Sequence, residues 1–351
     1  MNSTSQIHQT LRDSAGIRWM VLLFLAFAMF CSYIFMDILS PIKDLMQSTR
    51  GWDSTAFGTM QGSETFLNVF VFFLIFAGII LDKMGVRFTA VLSGAVMLVG
   101  AVINWYAVTE SFQGSGLETW FNNNLNYIPG FDELGISPFY EGMPASAKFA
   151  AVGFMIFGCG VEMAGITVSR GIVKWFKGRE MALAMGSEMA LARLGVATCM
   201  IFSPMFAKLG GVIDVSRSVA FGVVLLMIAL IMFIVYFFMD KKLDAQTGEA
   251  EEKDDPFKIS DLGSILSSSG FWLVALLCVL YYSAIFPFQK YAVNMLQCNL
   301  VFTEVPADSF WATNTVTVIQ YLIMLVVATA AFASNFSKRA SMKNGLLVVA
   351  G

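Results

Sequence analysis

Apolar residues in this chain do not alternate with polar ones. They gather into long runs, each bounded by a short polar or charged stretch. A run of ~20 residues at 1.5 Å rise matches a helix crossing the ~30 Å hydrocarbon layer of a membrane. The pattern predicts helices over 19–38, 62–81, 87–108, 148–174, 181–207, 217–239, 269–296 and 309–333, with a ninth beginning near Asn344. The first run follows a short polar tail and is too long for a signal-peptide core. No small-residue cleavage site follows it, so it reads as a span.

Composition agrees. Of 351 residues 57% are hydrophobic, with 33 Phe and 22 Met, and mean hydropathy is +0.70. A soluble globular protein is excluded; the bilayer is the solvent. The net charge of −3 says little, because what matters is where the basic residues fall. One set of connections carries Arg12, Arg18, Lys83, Arg87, Arg170, Lys174, Lys177, Arg179, Lys241, Lys242, Lys253, Lys258, Lys338, Arg339 and Lys343. The opposite set carries Lys43, Arg50, Lys148, Lys208 and Arg217, with Lys290 near the outer end of span seven. By the positive-inside rule the N-terminus and the first set are cytoplasmic. The five cysteines show neither zinc spacing nor a disulfide framework and read as packing residues.

Two connections depart from short turns. The stretch 240–262, DKKLDAQTGEAEEKDDPFKISDL, is a charged cytoplasmic linker after six spans. The expected plan is therefore a six-helix bundle over 1–240, a linker over 241–265, and the first three helices of a second bundle over 266–351. The chain stops in mid-hydrophobic run, so the second bundle is expected to be truncated here. Two bundles of this kind are the plan of secondary transporters, whose substrate sits near the midplane between them. The exterior stretch 109–147 is rich in Asn, Gly and aromatics. It is either an ordered cap or a surface for an accessory protein.

Glu162 and Arg193 are charges stranded within consecutive apolar segments joined by the basic turn WFKGRE. Glu162 precedes Lys174 by ~18 Å of helix and Arg193 follows Arg179 by ~21 Å, so both sit near mid-membrane. Each costs roughly 2.5–3.5 kcal/mol to place there on insertion scales. Either they neutralise each other or a ligand does. A carboxylate complements an ammonium, and a guanidinium grips a carboxylate bidentately, so a zwitterion satisfies both. Glu188 points ~140° from Arg193 around its helix; it is expected to pair with Arg170, or to serve as a gate or proton site. Asp37 and Glu64 read as solvated helix ends, with an exterior gate as the alternative. Tyr281 and Tyr282 precede Pro287, which breaks or kinks span seven, and point ~100° apart, so one of the two faces a cavity. Tyr33 is a weaker candidate of the same kind. The only histidine, His8, lies in the N-terminal tail, which excludes a histidine relay across the membrane and leaves Glu162 or Glu188 for any proton coupling. No metal cluster, phosphate-cradling loop or nucleophile–base constellation occurs, so neither an enzyme, a cofactor nor a nucleic-acid partner is expected.

Between spans two and three the sequence reads Gly78-Ile79-Ile80-Leu81-Asp82-Lys83-Met84-Gly85-Val86-Arg87. This resembles the G-x-L-x-D-[RK]-x-G-[RK]-[RK] signature of the Major Facilitator Superfamily, departing at Ile80 and Val86. The loop 334–339 of the second half keeps Lys338 and Arg339 but lacks the acid. Further blocks are Ser32-Tyr33 with Asp37, Gly160-Val161-Glu162, Trp175 to Glu180, Ala192-Arg193-Leu194-Gly195, and Tyr281 to Phe288. Together they look like the branch of the superfamily that holds the lysosomal dipeptide uniporter and its bacterial relatives. The resemblance implies an all-α, two-bundle polytopic membrane protein in which Gly78, Asp82, Gly85 and Arg87 form a cytoplasmic conformational latch. It also implies that Glu162 and Arg193 engage the two ends of a short peptide, with Tyr281, Tyr282 and Tyr33 around it. The reading is a secondary transporter of small zwitterions, preferentially dipeptides. A carrier of small organic anions and a non-transporting receptor or accessory subunit of the same fold are the alternatives. The N-x-[ST] triplets at Asn2 and Asn335 fall on the predicted cytoplasmic side, which favours a bacterial inner membrane over a lysosome.

Overall fold

The computed structural model describes residues 10–247 and 265–299, with the single positions 263, 322 and 326. The predicted eighth and ninth spans, apart from Leu322 and Val326, lie outside the described residues, as do His8, the loop 334–339 and most of the linker. All regular elements among the described residues are helices: α1 (Ala15–Met36), α2 (Lys43–Arg50), α3 (Ser54–Phe70), α4 (Phe73–Val108), α5 (Gly116–Asn124), α6 (Ala145–Phe176), α7 (Met181–Ala207), α8 (Val215–Thr247) and α9 (Ser269–Asn299), with short 3-10 turns between. Six candidate spans among them are long and apolar enough to cross a membrane. The chain is an all-α, multi-pass integral membrane protein.

Neighbouring residues fix the direction of each helix. Trp52 donates to Ser146 and Ser63 to the Ala151 carbonyl, Gly158 backs onto Glu64, and Asp82 meets Arg170. Both numbers rise together, so α3 and the first part of α4 run parallel to α6. Beyond Gly85 the order inverts: Ser93 and Met97 back Gly160, and Asn104 backs Gly153. The chain therefore reverses within α4, at Gly85, whose φ of 80° is in the left-handed region that favours glycine. One regular-looking helix thus holds the end of one span and all of the next.

The second span starts earlier than its apolar run suggests. The Asp53 side chain accepts from the Ala56 N–H at 2.7 Å, capping α3 two turns before the expected start at 62. Those polar first turns pack against α6 and α9 rather than lipid, so hydropathy does not register them. The span is also interrupted: Phe72 takes φ 56° between α3 and α4, a left-handed conformation costing roughly 1–2 kcal/mol for an L-residue. Helix α8 carries on to Thr247, seven residues into the expected linker (241 to 247). Helix α9 runs through Pro287 without a break.

Helix α1 is the axis of the packing, touching α6, α7 and α8. Its Phe35 ring lies 4.8 Å from Phe157, and Ser203 of α7 donates to the Ile38 carbonyl at 2.5 Å. Close backbone approach lets α4 and α6 cross: a Cβ added at Gly100 would meet the Gly153 carbonyl and the Phe157 backbone. Dispersion contacts between backbones take the place of a solvent-driven effect in such crossings.

Candidate functional site

Residues 177–180 turn the chain from α6 into α7, with Gly178 at φ 75° and Glu180 at φ 45°. Counting back from that turn, Glu162 and Arg193 lie ~21 Å and ~18 Å into the membrane on antiparallel helices. The matched depth survives, but the two form no ion pair among the described residues. Instead the Arg193 guanidinium carbon sits 5.3 Å from the centroid of the Tyr33 ring. Tyr33 comes from α1, against which α7 packs through Gly195 on the Phe30 backbone. Arg193, Glu188, Glu162 and the Tyr282 hydroxyl all lie within electrostatic reach of the Tyr33 hydroxyl. One tyrosine thus marks where α1, α6, α7 and α9 converge.

Glu188 is 7% exposed and makes no ion pair or hydrogen bond among the described residues. Its expected partner, Arg170, faces the other way and bonds Asp82 at 2.6 Å. Of the two span-seven tyrosines, Tyr282 lies within electrostatic reach of Tyr33; its ring stacks on Phe286 at 4.9 Å. Tyr281 meets Tyr282 edge-on at 5.3 Å and is 56% exposed.

At the basic end of the helices, Asp82 and Arg87 do not bond each other. Asp82 pairs with Arg170, while Arg87 pairs with Asp244 at 3.1 Å and approaches Asp240 at 3.9 Å. Lys174 bridges the same two acids at 2.7 and 2.8 Å, and the Trp175 indole donates to Asp240 at 2.8 Å. Asp240 and Asp244 are one turn apart on α8, which explains why that helix continues past the hydrophobic run. Gly78 has open space beside it among the described residues, so it makes no close helix contact there.

The opposite end holds a second charged cluster. Asp37, at the end of α1, is 2% exposed and Glu64 is 7% exposed, so neither is a solvated helix end. Lys290 of α9 enters between them, 2.8 Å from Asp37 and 3.9 Å from Glu64. Its ammonium also donates to the Met36 carbonyl at 3.0 Å and to the Gln61 side chain at 3.5 Å. Nearby, Asn294 donates to Asp44 at 2.9 Å and Lys43 donates to Asn294 at 3.3 Å. Sequence reading passed over Lys290 as a partner, although an ionisable residue within an apolar run is itself a signal.

The stretch 109–147 is ordered over this end. The Ser115 side chain caps α5 by accepting from the Glu118 N–H at 3.2 Å. Lys148 is 1% exposed beneath it and donates to Asn126 at 2.8 Å. Phe112 and Phe149 stack with centroids 5.4 Å apart. Trp120, Tyr127 and Leu134 remain exposed on its outer face.

The sequence profile of the Major Facilitator Superfamily matches residues 25–351. Among individual proteins, the chain is 25% identical to the lysosomal dipeptide transporter MFSD1 of Danio rerio over 282 residues, covering 77% of this chain and 52% of that protein. The same transporter of Bos taurus is 24% identical over 315 residues, 87% of this chain and 58% of that protein. That of Gallus gallus is 29% identical over 145 residues, 39% and 32% respectively. The chain spans about half the length of most curated relatives it matches. With reversing spans, a superfamily-like motif around the Gly85 turn and a profile match over nearly its whole length, this chain belongs to the Major Facilitator Superfamily.

Proposed function

We propose that the protein is a secondary transporter that moves small zwitterions, preferentially dipeptides, across its membrane by alternating access, with its N-terminus on the cytoplasmic side. The observation that carries this reading is the state of the mid-membrane charges. Arg193 rests on an aromatic face, and Glu162 and Glu188 lie near it without an ion pair among the described residues. Charges in hydrocarbon that do not neutralise one another are expensive to keep and mark a ligand path. A dipeptide supplies both missing partners: its ammonium to Glu162, its carboxylate to the two N–H groups of one guanidinium edge. Tyr33, whose ring lies 5.3 Å from the Arg193 guanidinium carbon, would line the same site. The profile match supports transport, and the likeness to dipeptide transporters supports the substrate class.

The test is uptake of a labelled dipeptide by the full-length protein in liposomes, with peptide-induced thermal stabilisation as the binding readout. Glu162→Gln and Arg193→Ala should each abolish both signals while the protein stays monodisperse. Stabilisation by peptides that persists in both variants would show the site to be elsewhere. Binding of succinate-like dianions in place of peptides, lost in Arg193→Ala alone, would favour the organic-anion reading.

A further inference from the structure

Around the Lys290 ammonium, each group contributed by α1, α3 and α6 or their ends is one that stabilises a cation. Asp37 supplies a carboxylate at 2.8 Å, Glu64 another at 3.9 Å, and Met36 a backbone carbonyl at 3.0 Å. Gln61 supplies an amide oxygen at 3.5 Å, and the Phe154 ring centroid lies 5.9 Å from the nitrogen. The Gln61 amide is held with its oxygen inward because its NH2 donates to Ser40 at 3.2 Å. Lys290 is the one member of the set that comes from α9, 226 residues beyond Glu64 (64 to 290).

Two features go beyond a plain interhelix lock. The cage carries two carboxylates for one ammonium, and Glu64, 7% exposed, has no hydrogen bond among the described residues. The Lys290 ammonium donates to Met36 and Gln61 and lies closer to Asp37, its nearer ion-pair partner, than to Glu64. The set is also complete without α9, so moving that helix away leaves two buried carboxylates with no cation. An uncompensated buried charge costs several kcal/mol, far more than the pair is worth when intact.

We infer that Met36, Asp37, Gln61, Glu64 and Phe154 form an ammonium-binding cage at the outer end of the helices, with Lys290 as its tethered occupant, and that when α9 withdraws the cage receives the ammonium group of an incoming solute. It is a capture site distinct from the mid-membrane charges, and Lys290 competes for it. Closure then requires the solute's amine to move on before Lys290 can return.

The experiment is chemical rescue with methylammonium on the full-length protein in detergent or liposomes. Lys290→Ala should lower the melting midpoint, and methylammonium should raise it again saturably, by a shift absent from the parent. Tetramethylammonium, which has no N–H to donate, should not. Adding Asp37→Asn to Lys290→Ala should remove the rescue. Where Lys290→Ala does not yield monodisperse protein, Lys290→Met keeps the volume of the stem and gives the same readout. Equal effects of methylammonium, tetramethylammonium and sodium on a folded Lys290 variant would overturn the cage. No peptide enters these measurements, so they stand or fall separately from the dipeptide reading.

Discussion

Arg193 lies over the ring of Tyr33, with its guanidinium carbon 5.3 Å from the centroid. The ring stabilises the charge without a hydrogen bond to its N–H groups. A cation over an aromatic ring is stabilised by ~0.5–2 kcal/mol, the larger value where water is excluded. Replacing Tyr33 by Ala should weaken dipeptide binding by roughly 2- to 30-fold, measured by calorimetry or thermal shift. Tyr33→Phe, which keeps the ring, should stay near the parent. Equal affinities for the Ala variant and the parent would remove the ring from the site.

The two acids at the basic end should differ sharply in what they contribute. Asp240 is fully buried and receives Lys174 and the Trp175 indole. Asp82 and Arg170 are each about a third exposed. Removing one partner of a buried charge pair costs ~3–5 kcal/mol, whereas an exposed pair is worth ~0–1 kcal/mol. Asp240→Asn should lower the melting midpoint markedly and Asp82→Asn only slightly. The reverse order would mean that Lys174 and Trp175 are satisfied without Asp240.

Close crossing of α4 and α6 should tolerate no added carbon. Gly100→Ala places a methyl against the Gly153 carbonyl and the Phe157 backbone, and forced overpacking costs typically ~1–3 kcal/mol. Gly165→Ala, on the same α6 but with nothing within 4 Å of its Cβ, is the control and should be neutral. A comparison of melting midpoints decides it; equal midpoints would show that the helices slide apart at no cost.

The N-terminal segment should unclip from the α6–α7 turn only in acid. The Asp13 carboxylate accepts from the Thr10 N–H and hydroxyl at 2.9 and 2.8 Å and pairs with Arg179 at 2.9 Å. The Thr10 hydrogen bonds, then the Arg179 charge, hold its pKa below the ordinary 3.8. A carboxyl depressed in the folded state contributes above its ordinary value, and that contribution disappears as pH falls through the lower, folded one. Carbon-13 titration of Asp13 should therefore show a midpoint under 3.8 that rises toward 3.8 in Arg179→Ala with Thr10→Val, the Thr10 backbone N–H holding part of the depression. A parent midpoint at or above 3.8 would rule the clip out.

Helices and reversals were legible because they depend on local properties: run length, segregation of Lys and Arg, and a glycine where the chain must turn at 85. The matched depth of Glu162 and Arg193 followed from helix rise alone. What lay between them did not, because Tyr33 reaches the site from another helix, some 130 residues away in sequence from Glu162 (33 to 162). The polar start of α3 was missed for a related reason. Ser54 and Gln61 look like an exposed loop, and Glu64 like a solvated helix end, until Lys43 of α2 donates to Ser54 and Lys290 of α9 reaches Gln61 and Glu64. Solvation and burial of a charge have the same local spelling; only the partner distinguishes them. The break at Phe72 has no sequence marker, since neither Gly nor Pro stands there.

The placement of ion pairs has a consequence for how this molecule responds to change. Among the described residues, those at the basic end join helices α4, α6 and α8 to one another, through Asp82–Arg170, Arg87–Asp244 and Lys174–Asp240. Those that reach α9 sit at the opposite end, on Lys290. A substitution in the first group weakens contacts within α1 to α8. A substitution in the second group raises only the conformer with α9 docked, and so tilts the ratio directly. The seating of α9 can therefore drift through changes at Asp37, Glu64 and Lys290 while the pairs among α4, α6 and α8 stay as they are.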